Sequence, residues 1–282
     1  MAVKNKVLRI LKLFGISARM DLTWLLRDTK YAIAGITADI ISNLSTVSGI
    51  YLIALRFNGI GGLNTDEILF MMAYSTITTG LFIMFGSGNN IHISRIIGRG
   101  QLEHLFMQPL SLKVQLFTSG FTPFTGGSNF VVGCIMLIIA MQRLSLPVTV
   151  WWVIFLIAYI LATMTIIVAR AYLVSSAAFY APVAAEEISS AAIEGTWLLS
   201  TFPLSGMPSI IQVSLLTILP EGLMAWFPSL CLLGRAPLNF TEYYPLAFAL
   251  ILSLIASYVF RKGLNYYVKK GSNRYVPYGF RR

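Results

Sequence analysis

The stretch Val150–Leu173, VWWVIFLIAYILATMTIIVARAYL, contains a single charged residue, Arg170. About 20 consecutive apolar residues are enough for a helix to cross the hydrocarbon core of a bilayer, and a helix satisfies its own backbone hydrogen bonds there. The composition of the whole chain also suits a lipid bilayer, because 56% of its 282 residues are hydrophobic, only 11% are charged and the mean hydropathy is +0.74. The sequence therefore predicts an all-α membrane protein.

Similar apolar runs predict about six membrane helices in a single transmembrane domain, residues 1–282. The predicted spans are Tyr31–Leu55, Glu67–Phe85, Leu116–Met141, Val150–Leu173, Ser209–Leu232 and Pro245–Phe260. The domain divides into an amphipathic head (1–29), the spans (30–262) and a basic tail (263–282).

The fifth span contains Pro220, which lacks a backbone donor and is expected to kink or split the helix. A second apolar piece, Ile193–Phe202, lies just upstream. Three interpretations of this piece stay open: a half-helix, an interfacial helix, or the true start of the fifth span.

Lysine and arginine are concentrated in the head and the tail, and such residues are retained on the cytoplasmic side of a membrane. We therefore expect both termini in the cytoplasm, an even number of spans, and a location in the inner, cytoplasmic membrane. The loop with Arg95, Arg99 and Lys113 then lies inside. This asymmetry explains most of the net charge of +10, so the basic ends are expected to meet anionic lipid and not nucleic acid.

The head is predicted to form an amphipathic interfacial helix along the inner leaflet. Its apolar face contains Val7, Ile10, Leu11, Phe14 and Ala18, and its basic face contains Lys6, Arg9, Lys12 and Arg19. The helix either serves only as the basic flank that sets topology or has an active role in gating. Because charges are distributed through the first twenty residues, we expect no cleaved signal peptide.

No motif in the chain indicates catalysis or a bound cofactor. Cys134 and Cys231 fall inside predicted spans, and His92 and His104 have no matching ligand set. The phosphate loop of ATPases, the His-Glu-x-x-His zinc motif and the nucleophile elbow are all absent from the sequence. We expect neither a metal site nor an enzyme.

Polar residues inside the spans provide candidates for a translocation path or an intramembrane pair. These candidates are Asp39, Asn43, Thr78, Thr122, Asn129, Arg170 and Glu221. Hydroxyl and small residues either line a passage or let helices pack closely, and the sequence does not separate the two. Asp39 and Arg170 are predicted to pair because the helix rise puts them at similar depth; the alternative is that Arg170 snorkels alone to the inner head groups. Glu221 is expected near the outer half.

The segment Gly98–Ser111, GRGQLEHLFMQPLS, separates the second and third spans. Its glycines permit a sharp turn, Leu102, Leu105 and Phe106 fall on one helical face, and Pro109 ends the helix. Acid and amide side chains suit an anionic leaflet poorly. A short surface helix that docks a cytosolic protein therefore explains the segment better than a helix resting on lipid.

Three ordered stretches resemble ABC type-2 transporter permeases, in particular a bacterial group with six spans. They are RIIGRGQLEHLFMQPLS (Arg95–Ser111), FPLSGMPSIIQVSLLTILPEGLMAWFPSLCLLG (Phe202–Gly234) and GLNYYVKKGSNRY (Gly263–Tyr275). With the span count, the resemblance covers nearly the whole chain. The sequence departs from this group at Glu103-His104, where an Asp followed by Arg is frequent.

The resemblance implies a permease that pairs with itself or with a sister permease over two copies of a separate ATP-binding cassette ATPase, which binds ATP and Mg. It also implies that the loop between spans 2 and 3 contains a coupling helix that sits in a groove of the ATPase, and that the complex acts mainly in export. The residues it assigns to coupling are Arg95, Gly98, Leu102, Glu103, His104, Leu105, Phe106 and Pro109. Glu103 is expected to be available to a basic ATPase residue.

The alternative function is an ATP-independent secondary transporter or channel. Against it, the spans show few interior charges and no evident inverted repeat of broken helices. A membrane-embedded enzyme would need a catalytic constellation at one depth, which the sequence does not show. Neither interpretation identifies a substrate.

Overall fold

The computed structural model describes residues 2–86, 93–118, 120–182, 187–192, 194–195, 201–236 and 241–271. Regular structure within these ranges is helical, with one isolated β-bridge between Ile60 and Leu63. The all-α prediction is therefore confirmed.

The α-helices described at both ends are numbered in chain order. They are α1 (Ala2–Arg27), α2 (Thr29–Phe57), α3 (Thr65–Gly86), α4 (Ile93–Gly98), α5 (Leu102–Phe106), α6 (Leu112–Thr118), α7 (Ser128–Leu144), α8 (Val150–Ser175), α9 (Ser209–Thr217), α10 (Trp226–Leu232) and α11 (Tyr244–Lys270). Short 3-10 helices occupy Ser176–Phe179, Leu204–Gly206, Pro220–Leu223 and Thr241–Tyr243. Residues 187–192 are also helical.

Four helices in the described ranges are long and apolar enough to cross a membrane by themselves. They are Thr29–Phe57, Thr65–Phe85, Val150–Phe179 and Thr241–Lys270, which coincide with the first, second, fourth and sixth predicted spans. The broken pair of α9 and 220–232 is a fifth candidate by length and composition.

The third predicted span, Leu116–Met141, is not one helix. The helical structure stops at Thr118, and α7 begins only at Ser128. Between them lie Pro123 and two glycines, Gly126 and Gly127, which favour turns over helix. The apolar α7 is consequently only 17 residues long.

The fifth predicted span is broken at the proline, as expected, with a bend of 71° between its two parts. Both flanks of this segment contact the loop between α2 and α3. A Cβ on Gly61 would lie only 2.7 Å from the Gly206 nitrogen, and Arg235 donates to the Gly62 carbonyl oxygen at 2.9 Å. Residues 207–234 therefore leave and return to the same end of the molecule. The prediction of a crossing over Ser209–Leu232 is wrong.

Two closely packed helix pairs form most of the core. In the first pair, α3 and α7 meet backbone to backbone: a Cβ on Gly80 would lie 2.1 Å from the Phe130 nitrogen, and one on Gly133 would lie 2.6 Å from the Ile77 nitrogen. In the second pair, α8 packs along α11. A hydrogen bond of 2.9 Å between the hydroxyls of Tyr74 on α3 and Thr163 on α8 links the pairs.

The two ends of the molecule differ in charge. One end gathers α1, α4, α5, α6, residues 176–179 and the last turns of α11, and we name it the basic end. It carries most of the lysines and arginines of the described chain, whereas the opposite end carries Arg56, Arg143 and Arg235.

Candidate functional site

The segment between α3 and α6 turns sharply at the basic end. Gly100 has a φ of +67°, in the left-handed region that favours glycine. Its N–H and that of Gln101 donate to carbonyl oxygens in α4, which closes that helix and lets α5 begin at Leu102. α5 ends at Phe106, earlier than the predicted stop at Pro109.

Leu102 anchors α5 to the membrane helices. Its side chain is fully buried in a cluster that includes Ile97, Phe179, Phe260 and Tyr267. Because Phe179 follows α8 and the other two aromatic residues belong to α11, the cluster joins α5 to the ends of two spanning helices. Leu102 thus packs against the ends of the membrane helices.

Polar contacts add to this anchor. The Tyr267 hydroxyl donates to the Glu103 carboxylate at 2.9 Å, so one oxygen of Glu103 already has a partner within the chain. Gln115 on α6 donates to the carbonyl oxygens of Leu105 and Leu110 at 2.9 and 2.7 Å. The sequence-based reasoning assigned no anchoring role to Gln115 or Tyr267, although Tyr267 lies in the quoted stretch Gly263–Tyr275.

Three apolar residues are exposed at the end of α5 and in the turn after it, beside the exposed polar residues Glu103, His104 and Gln108. Phe106 is 44% exposed and Met107 is 73% exposed, next to an exposed Pro109. We name Phe106, Met107 and Pro109 the apolar patch. Leu105 is half-buried, and the other predicted coupling residues are exposed or half-buried: Arg95, Gly98 and His104.

An ion pair lies inside the molecule. The Arg170 guanidinium on α8 contacts the Glu221 carboxylate at 2.5 Å, and it also donates to the Ala192 carbonyl oxygen at 3.4 Å. The Glu221 side chain is only 1% exposed, and its second carboxylate oxygen has no hydrogen-bond partner among the described residues. Asp39 is exposed on α2. The predicted Asp39–Arg170 pair is therefore wrong.

The reason for this error is topological. α8 packs mainly against α11, whereas α2 packs against α3 and α7, so equal depth does not make Asp39 and Arg170 neighbours. Glu221 reaches Arg170 because the broken segment 207–234 enters the molecule and places its turn against α8.

Most of the other candidate path residues lie between helices. Thr78 is buried and donates to carbonyl oxygens one turn earlier in α3, while Asn129 is buried where α7 meets α3. The Thr122 N–H donates to the Met84 carbonyl oxygen. Half-buried Asn43 accepts a hydrogen bond from Thr76. These four candidates occupy packing positions.

Asp39 lies on α2, outside the packing positions between helices. One face of α2 packs on the protein, and a second, with Ile41 and Leu52, is exposed and apolar. A third face is exposed, small and polar, and we name it the polar face of α2: Gly35, Asp39, Ser42, Thr46 and Gly49. A carboxylate facing lipid at this depth costs roughly 2.5–3.5 kcal/mol, so this face is unsuited to hydrocarbon.

The comparison with protein families agrees with these features. The family model described as "ABC-2 family transporter protein" matches residues 40–271, a range that contains the α4–α5 segment, the ion pair and three of the five residues of the polar face, Ser42, Thr46 and Gly49. The chain belongs to the ABC-2 transporter family. No curated protein and no solved structure was found to match this ABC-2 chain.

The family assigns the chain its general role. This ABC-2 protein is a multi-pass membrane permease of an ABC transporter, and it is the transport component, not the ATP-hydrolysing one. Membership also implies an ABC ATPase subunit as a partner.

Proposed function

We propose that this permease is the translocating half of an ABC exporter and receives the force of a separate ATPase through the segment 95–111. ATP and Mg bind to two copies of that ATPase. Closure of the ATPases carries α5 with it, and the motion opens a path between this chain and a second permease, either another copy or a sister subunit.

The single observation that carries this proposal is the contrast between the two faces of α5. Leu102 and Glu103 attach α5 to the ends of α8 and α11, whereas Phe106 and Met107 remain exposed. A partner that binds the apolar patch therefore displaces two spanning helices at once. An α5 that only rested on lipid would not need polar anchors to Tyr267 and Gln115.

The ends that successive segments touch support six membrane crossings. Ser189 hydrogen-bonds Ser94 at the basic end, whereas Gly206 lies against Gly61 at the opposite end. The chain between them spans about 26 Å if helical, which is most of a hydrocarbon core. This length supports the interpretation that the upstream piece, Ile193–Phe202, is part of the true fifth span. Much of that piece lies outside the described residues.

The charge distribution supports a cytoplasmic location for the basic end and both termini, with the protein in the inner membrane. α5 then faces the compartment that contains ATP.

We place the path along the polar face of α2. This face is unsuited to lipid, and Asp39 has no ion-pair partner among the described side chains. In a symmetric pair of permeases, two Asp39 carboxylates at the same depth repel each other, so water or substrate lies between them.

The test is co-purification of the permease with its ATPase, encoded beside it or identified by cross-linking. Replacing Phe106 and Met107 by Asp is expected to abolish the complex and ATP-dependent transport while leaving membrane insertion unchanged. The matched control replaces the exposed polar residues Gln101 and Gln108 by Asp, which adds the same charge without removing apolar surface.

An intact complex with normal transport in the Phe106/Met107 variant refutes the assignment of the patch. Transport by the purified permease without any ATPase favours the secondary-transporter alternative instead.

A further inference from the structure

An open hollow of about 490 Å³ lies along α1, away from the apolar patch and the ion pair. It is lined by Ile16, Arg19, Met20, Thr23, Trp24, Arg27 and Asp28. Two guanidinium groups, a hydroxyl and an indole ring thus share one surface with two apolar side chains.

The rest of the protein fixes the orientation of this surface. On the opposite side of α1, buried Asp21 accepts hydrogen bonds from the Phe124 and Thr125 N–H groups at 2.8 and 3.2 Å and from the Thr125 hydroxyl at 2.6 Å. Ser17 donates to the Thr118 carbonyl oxygen, and the Phe14 ring packs edge-on against neighbouring rings. α1 is therefore docked, and its hollow faces away from the core.

The hollow lies at the membrane surface. α1 ends at Arg27 and the first membrane helix begins at Thr29, so the hollow directly adjoins the start of that helix. Exposed Leu22 and Leu26 on α1 are suited to the acyl boundary, and Trp24 is of the residue type enriched at head-group level.

The charges of the hollow select its ligand. Arg19 and Arg27 are two turns apart, about 12 Å along the axis, and bracket Thr23. Neither has an ion-pair partner among the described side chains, and Asp28 reduces the local charge from +2 to +1. A phosphate diester of charge −1 neutralises this surface, and arginine binds phosphate through paired, charge-assisted hydrogen bonds.

We propose that this hollow binds the head group of an anionic phospholipid of the phosphatidylglycerol type. Arg19 and Arg27 hold the phosphate, Asp28 accepts hydrogen bonds from the glycerol hydroxyls, and Ile16, Met20 and Trp24 contact the start of the acyl chains. The glycerol part of this head group offers hydroxyls to Asp28 and carries no charge. The charge of −1 on the phosphate then balances the charge of +1 on the hollow. This site is independent of the transport function proposed above.

The experiment uses the full-length protein in mild detergent and counts bound lipid by native mass spectrometry during titration. The probes are phosphatidylglycerol and phosphatidylcholine with identical acyl chains. We expect the wild type to bind phosphatidylglycerol about tenfold more tightly than phosphatidylcholine. Replacing both Arg19 and Arg27 by Gln is expected to remove that preference, because charge-assisted hydrogen bonds of this kind account for a tenfold factor or more.

The matched control replaces Arg9 and Lys12 by Gln, which removes the same charge from exposed positions of α1 outside the hollow. It should retain the preference within about twofold, since charge screened by solvent contributes little to a specific contact. Circular dichroism of each variant verifies that the helices are intact.

Three results overturn the proposal. One is an equal loss in the two double variants, which indicates attraction by overall charge. Another is equal binding of phosphatidylcholine by the wild type. The third is displacement of the lipid by millimolar inorganic phosphate or glycerol phosphate, which assigns the hollow to a free anion and not to a lipid.

Discussion

Removing the carboxylate of Glu221 is expected to destabilise the protein strongly. The carboxylate and the Arg170 guanidinium are 2.5 Å apart, with side-chain exposures of 1% and 14%. Charges about 4 Å apart attract by about 4 kcal/mol at an effective dielectric constant of 20, and breaking such a buried pair costs about 3–5 kcal/mol because one charge stays unpaired. For a chain of this length, Glu221→Ala should lower Tm by roughly 10 °C.

Thermal unfolding with a thiol-reactive dye measures this effect, because Cys231 is buried and becomes reactive only when the helices separate. The comparison variant replaces both Arg170 and Glu221 by Met. Since it leaves no buried charge, we expect it to recover most of the lost Tm. Two results would show that the ion pair does not stabilise the turn of the broken segment. One is a Tm of Glu221→Ala equal to that of the wild type. The other is a loss of Tm in the double variant equal to the sum of the losses in the two single variants.

Three further predictions concern packing and anchoring. Gly80→Ala should prevent stable assembly of α3 on α7, because the added Cβ would lie 2.1 Å from the Phe130 backbone nitrogen; size-exclusion chromatography in detergent measures the loss of folded protein. Asp21→Ala should destabilise the docking of α1 by about 1–3 kcal/mol and increase proteolysis within α1, because the carboxylate that binds the loop before α7 is gone. Tyr267→Phe should weaken ATPase binding and lower Tm only slightly, because it removes the hydrogen bond to Glu103 and keeps the aromatic ring.

Each of these predictions has a control or a contradicting result. Gly49→Ala is the control for Gly80, because nothing lies within 4 Å of a Cβ at position 49. Unchanged proteolysis of α1 in the Asp21 variant shows that the Ser17 hydrogen bond and aromatic packing are enough to dock the helix. A Tyr267 variant that binds the ATPase as well as the wild type does shows that Glu103 needs no anchor.

Helices that cross the membrane in one piece could be predicted from the sequence, because length and apolarity alone decide them. The break at Pro220 was also predictable, since proline removes a backbone donor. The return of the chain to the same end of the molecule after that break could not be predicted. Whether a broken helix continues or turns back depends on contacts such as Gly61 with Gly206, which are distant in sequence.

The partners of polar residues were the least predictable part of the candidate site. Glu103 and Tyr267 are 164 positions apart, and no local pattern relates them. The depth argument for Arg170 failed because it assumed straight helices, whereas its partner lies on a turn that enters from the opposite end. The helix face of the α5 segment was predictable, but which of its leucines point inward depends on α8 and α11.

The close contact of α3 with α7 limits where the protein can deform. At Gly80 and Gly133 the two backbones meet without intervening side chains, so sliding one helix along the other would make them collide. The link from Tyr74 to Thr163, between the two helix pairs, is a hydrogen bond of a kind that contributes only about 0.6 kcal/mol within membranes. Shear is thus expensive inside the α3–α7 pair, and we expect these two helices to move as one unit.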